Sequence, residues 1–118
     1  MPKILIVEDE PSLLELYRKE MEDEGWQVLT AMDGEVALDL AKKQFPDLVI
    51  LDIKIRNMHG LKVLDEIKRF NKNLPVILNS AYETFKSDFS SWIADAYLVK
   101  TSNLDQLKLH TKRLLGLS

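Results

Sequence analysis

The sequence predicts an α/β fold, an open all-parallel sheet with helices on both faces. Three observations carry that prediction. Short apolar runs alternate with helix-period segments five times along the chain. The run Leu48 to Leu51 (LVIL) is continuously apolar, as a strand covered on both faces requires. And 118 residues hold five βα units with no length left for a separate hairpin domain. Right-handed crossovers follow from that connectivity.

Each element has its own warrant. Lys3 to Val7 (KILIV) is a short β-rich run, and after it Leu13, Leu14, Tyr17 and Met21 recur at helical spacing up to Gly25, a helix stop. Trp26 to Ala31 reads as a second, half-polar strand. A helix over Glu35 to Gln44 follows, with Ala37, Leu38, Leu40 and Ala41 turned inward and Pro46 beyond its end. Leu48 to Leu51 is the central strand. Gly60 precedes a helix that buries Leu61, Val63, Leu64 and Ile67, and Pro75 to Leu78 (PVIL) starts a fourth strand. Phe85, Phe89 and Trp92 form one stripe of a short helix, Ala96 to Val99 (AYLV) a fifth strand, and Leu104, Leu107, Thr111 and Leu114 mark a last helix. There is no internal repeat, linker or low-complexity segment, so residues 1–118 are expected to form one domain.

Composition excludes several function classes. With 46% hydrophobic and 30% charged residues, neither disorder nor a fibrous repeat is favoured. A net charge of −3, with the 16 basic residues dispersed, gives no footprint for direct nucleic-acid binding. Zero cysteines rule out disulfides and thiolate metal sites and suit a reducing compartment. The N-terminus MPKILIVEDE meets acid too early for a signal peptide, and no apolar run approaches the roughly 20 residues of a membrane span. A cytoplasmic location without membrane insertion is the expectation.

In open α/β sheets ligands sit outside the carboxyl ends of the strands. Reading the residues at those ends gives Glu8, Asp9 and Glu10 after the first strand, Asp52 after the third, Asn79 and Ser80 after the fourth, and Lys100 after the fifth. Singly, each has an ordinary explanation. Asp9 and Glu10 before Pro11 can be helix-start acids, Asp52 a turn residue or cap, Ser80 a helix N-cap and Lys100 a solvated lysine. Jointly they place acids, a hydroxyl and an ammonium on one rim. Clustered carboxylates repel unless a cation lies between them. Oxygen donors without His or Cys select a hard ion, and an incomplete protein shell is how Mg²⁺ is usually held. A carboxylate there can attack phosphorus to give an aspartyl phosphate, with the metal and a lysine neutralising the phosphoryl oxygens.

The set VEDE at Val7 to Glu10, LD at Leu51 and Asp52, NSA at Asn79 to Ala81 and YLVK at Tyr97 to Lys100 resembles the receiver domain of two-component response regulators. The resemblance spans essentially the whole chain. It implies a flavodoxin-like, doubly wound sheet of order 2-1-3-4-5. It implies that Asp52 accepts phosphoryl from a histidine kinase, a histidine phosphotransfer protein or a small phosphodonor. The protein would thus be a phosphoacceptor signalling domain and not an enzyme in the ordinary sense. Asp9, Asp52 and the Lys54 carbonyl would ligate Mg²⁺, with Glu8 acting mostly through water. Lys100, the Ser80 hydroxyl and the backbone N–H groups of Lys54 and Ala81 would contact the phosphoryl oxygens. Tyr97 matches an aromatic switch position. A phosphoryl dianion drawing Ser80 inward would let Tyr97 turn, changing the surface formed by the Phe85 helix, the fifth strand and the last helix for a downstream protein. Lys54 and Tyr82 match positions that tune dephosphorylation, predicting a long-lived phosphoryl group.

The sequence also departs from the family pattern. Thr101 follows Lys100 where proline is usual, predicting a trans turn with Lys100 somewhat displaced. Ile55 and Arg56 stand where Met-Pro is frequent, predicting a less fixed loop. The segment between Ser80 and Lys100 is short, and Ser87, Ser90 and Ser91 predict a mobile or distorted helix. The sequence ends soon after the last helix, so the expectation is a stand-alone receiver acting as a binding switch or phosphorelay intermediate. A degenerate receiver that binds partners without phosphorylation is an alternative. A phosphohydrolase using an acid of the first strand fits poorly, because Asp9 is followed by Glu10 and Pro11.

Overall fold

The structure, a computed structural model, describes residues 1–81 and 93–117. Five parallel strands, β1 (Lys3–Val7), β2 (Gln27–Ala31), β3 (Leu48–Leu51), β4 (Val76–Ser80) and β5 (Ala96–Val99), form one sheet in the order β2-β1-β3-β4-β5. The described helices are α1 (Pro11–Asp23), α2 (Gly34–Lys43), α3 (Gly60–Phe70) and α4 (Asp105–Leu114). The expected sheet order is therefore observed. The helix expected over Phe85, Phe89 and Trp92 lies outside the described residues.

Strand alternation sorts the core into two layers. Leu5, Val7, Val49, Leu51, Val76 and Leu78 face Ala37 and Ala41 of α2 and Leu61, Val63, Leu64 and Ile67 of α3. Ile4, Ile6, Leu48, Ile50 and Ile77 face Leu14, Tyr17 and Met21 of α1 and Leu107 of α4. Every residue of β3 is buried, which is why its sequence shows no polar alternation. Edge strand β2 exposes Gln27 and Thr30.

Element ends differ from the sequence reading in physically simple ways. Helix α2 begins at Gly34 because the Asp33 side chain caps it, accepting from Val36 N–H at 2.8 Å. Helix α3 begins at Gly60 itself, capped by His59, whose Nδ1 accepts from Leu61 N–H at 3.2 Å. Leu38 and Leu40 are only partly buried, whereas Ala37 and Ala41 carry the contact. Strand β4 runs through Asn79 and Ser80, so Ser80 is a strand residue and not a helix cap. Asp9 lies before α1, whose first turn holds no acid, so a helix-start role does not account for it.

Candidate functional site

Main-chain bonds continue past the strand ends and fix the polar residues there. Glu8 N–H donates to Ala31 O at 3.0 Å, Asp52 N–H to Val7 O at 3.0 Å, and Lys100 N–H to Ser80 O at 2.7 Å. Each site residue is thus held one rung beyond the regular ladder by the neighbouring strand. Asp52 continues the alternation of Leu48 and Ile50, and Glu8 that of Ile4 and Ile6, so both start from the α1/α4 side of the sheet. Ser80 continues Val76 and Leu78 on the other side, where Tyr97 also packs. Register places Tyr97 opposite Leu78 and Val99 opposite Ser80, so Tyr97 and Ser80 lie diagonally on one face.

The acids converge. Glu8, Asp9 and Asp52 each offer a carboxylate oxygen, and these three atoms lie within 4.8 Å of one another. Glu8 is 2% exposed and Asp52 8%, while Asp9 is half-buried. The Lys100 ammonium donates to both buried acids, reaching Asp52 Oδ2 at 2.9 Å and Glu8 Oε1 at 2.5 Å. Glu8 Oε2 also accepts from Glu10 N–H at 3.1 Å. Burial pushes the Glu8 pKa up and Asp52 adds to this, against the lowering effect of the Lys100 hydrogen bond. Burial alone would depress Lys100, but its bonds to Glu8 and Asp52 outweigh that and raise its pKa. The ammonium is therefore charged throughout the neutral range. Three hard oxygen donors, with no nitrogen or sulfur among them, suit a small divalent cation such as Mg²⁺.

The turn after Lys100 holds without proline. The described residues contain no cis peptide, as Thr101 predicted. The Thr101 hydroxyl donates to Asn103 O at 2.7 Å, and Asn103 Oδ1 accepts from Asp105 N–H at 2.8 Å, leading the chain into α4. These bonds hold the turn, and Lys100 reaches both acids from it. The expected looseness of the loop after Asp52 is likewise offset by main-chain bonds. Gly60 N–H donates to Ile53 O at 2.5 Å, Gly34 N–H donates to Arg56 O at 3.0 Å, and Asp33 forms a bridge with Arg56. Lys54 is exposed on that loop. Ala81 is exposed beside Ser80, and Tyr82 lies outside the described residues.

One feature of the site was not legible as such. Tyr17, read as an apolar helix position, is 3% exposed, and burial pushes the pKa of its hydroxyl up against the lowering effect of the Asn79 side chain. The available signal was chemical, since a buried tyrosine hydroxyl needs a partner.

Residues 4–112 match the response regulator receiver domain family, and the chain belongs to that family. Among solved structures it is similar to response regulator protein TrrA from Thermotoga maritima in complex with Mg²⁺-BeF. That match has 46% identity, covers 97% of this chain and 99% of that one, and has a TM-score of 0.90. TrrA in complex with the histidine kinase ThkA aligns with a TM-score of 0.92 at 45% identity, covering 98% and 99% of the two chains. Among curated relatives, the probable transcriptional regulatory protein TcrX of Mycobacterium tuberculosis is 35% identical over 95% of this chain, which spans only 49% of TcrX. Sporulation initiation phosphotransferase F of Bacillus subtilis is 33% identical over 98% of this chain and 94% of its own length. Among the described residues no helix is long and apolar enough to cross a membrane.

Proposed function

We propose that residues 1–118 act as one receiver domain, in which Asp52 accepts a phosphoryl group in a Mg²⁺-dependent reaction. The observation that carries this is the convergence of Glu8, Asp9 and Lys100 on a nearly buried Asp52. An Asp52 carboxylate oxygen forms the new bond to phosphorus. The bond from phosphorus to the donor breaks, and its electron pair leaves with the donor group. Lys100 keeps a fixed positive charge beside that oxygen and meets the transferring phosphoryl oxygens, while the Ser80 hydroxyl and the N–H groups of Lys54 and Ala81 supply donors. Asp9, Asp52 and the Lys54 carbonyl would hold Mg²⁺, with Glu8 reaching it through water. The bound ion supplies charge neutralisation at the phosphoryl group. The chain is a phosphoacceptor, not an enzyme acting on a separate substrate.

The partner that fits is a histidine kinase or histidine phosphotransfer protein, supported by the similarity to TrrA, solved with a histidine kinase. Such a partner sets a cytoplasmic location. Ser80 and Tyr97, diagonal on one face, suit a switch in which the hydroxyl moves toward the phosphoryl group and the ring fills the space, changing the surface around β5 and α4. The near full-length similarity to a sporulation phosphotransferase favours one further reading, a relay intermediate that passes the phosphoryl group on. Lys54 and Tyr82 would slow dephosphorylation by hindering an attacking water.

The test is incubation with Mg²⁺ and acetyl phosphate, followed by intact-mass measurement. Wild type should gain one phosphoryl group, and Asp52→Ala none. Equal labelling of both, or none of either, removes the assignment.

A further inference from the structure

We propose that the groove between the C-terminal ends of α2 and α3 docks an acidic segment of a partner protein that inserts one aromatic or leucine side chain. The groove has a volume of about 210 Å³ and is lined by Ala41, Lys42, Phe45, Phe70, Asn71 and Leu74 among others. A cavity of about 150 Å³ holds one benzene ring, so this space takes one large apolar side chain. The helices run back against the parallel strands, so the groove lies at the amino ends of the strands, away from Asp52 and Lys100. It stands apart from the phosphoryl chemistry at the other rim.

Phe45 singles this groove out. It follows the α2 cap Gln44 with φ of +51°, in the left-handed position where a helix usually ends on glycine or asparagine. A phenylalanine bears the steric penalty of that conformation, yet its ring is 80% exposed, and burial within the domain offsets little of the penalty. Phe70, the last residue of α3, leaves a second ring 40% exposed, with the Lys42 ammonium 5.5 Å from its centroid. Two rings presented across one groove form a surface that another molecule has to cover.

Charge then selects the molecule. Lys43 pairs with Asp39 at 2.9 Å, Arg69 with Asp65 at 2.9 Å and Lys68 with Asp95 at 2.8 Å. Lys42 and Lys72 have no carboxylate partner among the described residues. The Lys3 ammonium, which donates to Gln44 O at 2.9 Å, adds a third cation beside Phe45. Against these stand the two helix C-termini, worth about half a negative charge each, and Asp47, whose carboxylate accepts from Lys3 N–H at 2.8 Å. The three ammoniums exceed that sum, so a chain of net charge −3 carries a locally positive rim around an apolar groove. A basic partner is repelled, and a second copy brings the same positive rim. An acidic segment with one apolar anchor meets both the charge and the shape.

The probe is a capped heptapeptide with a central phenylalanine and aspartates at every other position, titrated by NMR into protein without Mg²⁺ or phosphodonor. Backbone amide resonances of Ala41, Phe45, Phe70 and Asn71 should shift, while those of Asp52 and Lys100 stay in place. Replacing the central phenylalanine by alanine, or the aspartates by serines, should weaken binding by about tenfold or more. Phe45→Asn relieves the left-handed conformation and keeps the fold, yet should also weaken binding by about tenfold. Lys42→Gln should weaken it by about two- to fivefold. Wild-type affinity should fall by about three- to tenfold between about 50 and 500 mM salt. Absence of groove shifts at about 5 mM peptide overturns the proposal, as does equal binding by the serine peptide or by Phe45→Asn. Groove resonances that move with protein concentration alone make a second copy the occupant and overturn it as well.

Discussion

The Lys100 ammonium lies 2.9 Å from the Asp52 carboxylate while also donating to Glu8, so one cation serves two buried anions. Their side chains are 16%, 10% and 3% exposed respectively, leaving little solvent to screen them. Removing one member of such a set leaves the others uncompensated and costs several kcal/mol. Lys100→Met should lose about 3 kcal/mol of stability in metal-free urea unfolding. Saturating Mg²⁺ should recover part of that loss, because a ligand bound only by the native state stabilises it. A variant as stable as wild type without metal would show that the pair contributes nothing net.

Glu8 gives the stability a definite pH trend. Burial, reinforced by Asp52, raises its folded-state pKa above the ordinary value of 4.5 despite Lys100. The native state therefore holds that proton to higher pH than the unfolded chain does. The stability this confers is full below 4.5 and is lost as pH rises through the folded-state value. Glu8→Gln cannot ionise and escapes the loss. With chelator present, its stability relative to wild type should climb from about pH 4 to pH 7, by about 1.4 kcal/mol for every tenfold by which folding weakens the Glu8 acid. A flat or falling difference would contradict the assigned direction.

What the sequence made legible was whatever depends on period and strand ends. Continuous burial made β3 readable, and the sheet topology carried Glu8, Asp9, Asp52 and Lys100 together because all four follow strands. Contacts between distant side chains were not legible. Nothing in the spacing of Glu20 and Lys108 says that the first and last helices meet, since only the packing of α1 and α4 on one face of the sheet brings this pair to 2.6 Å. Thr101 and Asn103 replace a proline by local hydrogen bonds that a residue-by-residue comparison registers only as a departure. Gly60 looked like helix punctuation, and its closeness to Asp52 exists only once the loop closes.

Gly60 permits an approach that no other residue can make. A Cβ at this position would sit 2.2 Å from Asp52 O, 2.5 Å from Ile53 Cα and 2.8 Å from Ile53 O, all backbone atoms. None is the end of a flexible side chain that could swing away. Gly60→Ala must therefore push the start of α3 off the segment that carries Asp52. The expected cost is about 3 kcal/mol or more in urea unfolding. In whatever native population survives, Mg²⁺ binding followed by NMR should weaken by about tenfold or more, in line with small displacements of a preorganised site. Near wild-type values for both would mean that the loop has slack that the close contacts deny.

Phe45 offers the opposite sign. It has φ of +51° and is 80% exposed, so a bulky side chain occupies the left-handed region while burying little. That conformation costs an L-residue roughly 1–2 kcal/mol, and asparagine tolerates it better because its short polar side chain can bond locally. Asn57, at φ of +68°, already follows that preference. Phe45→Asn should therefore raise stability by about 0.5–1 kcal/mol, read as a higher urea midpoint at unchanged slope. The reciprocal Asn57→Phe should lower it by a similar amount. The ring does line a shallow groove with Phe70 and Leu74, and this contact works against the gain. Its exposure makes the contact the smaller effect, and a Phe45→Asn protein less stable than wild type would reverse that ranking.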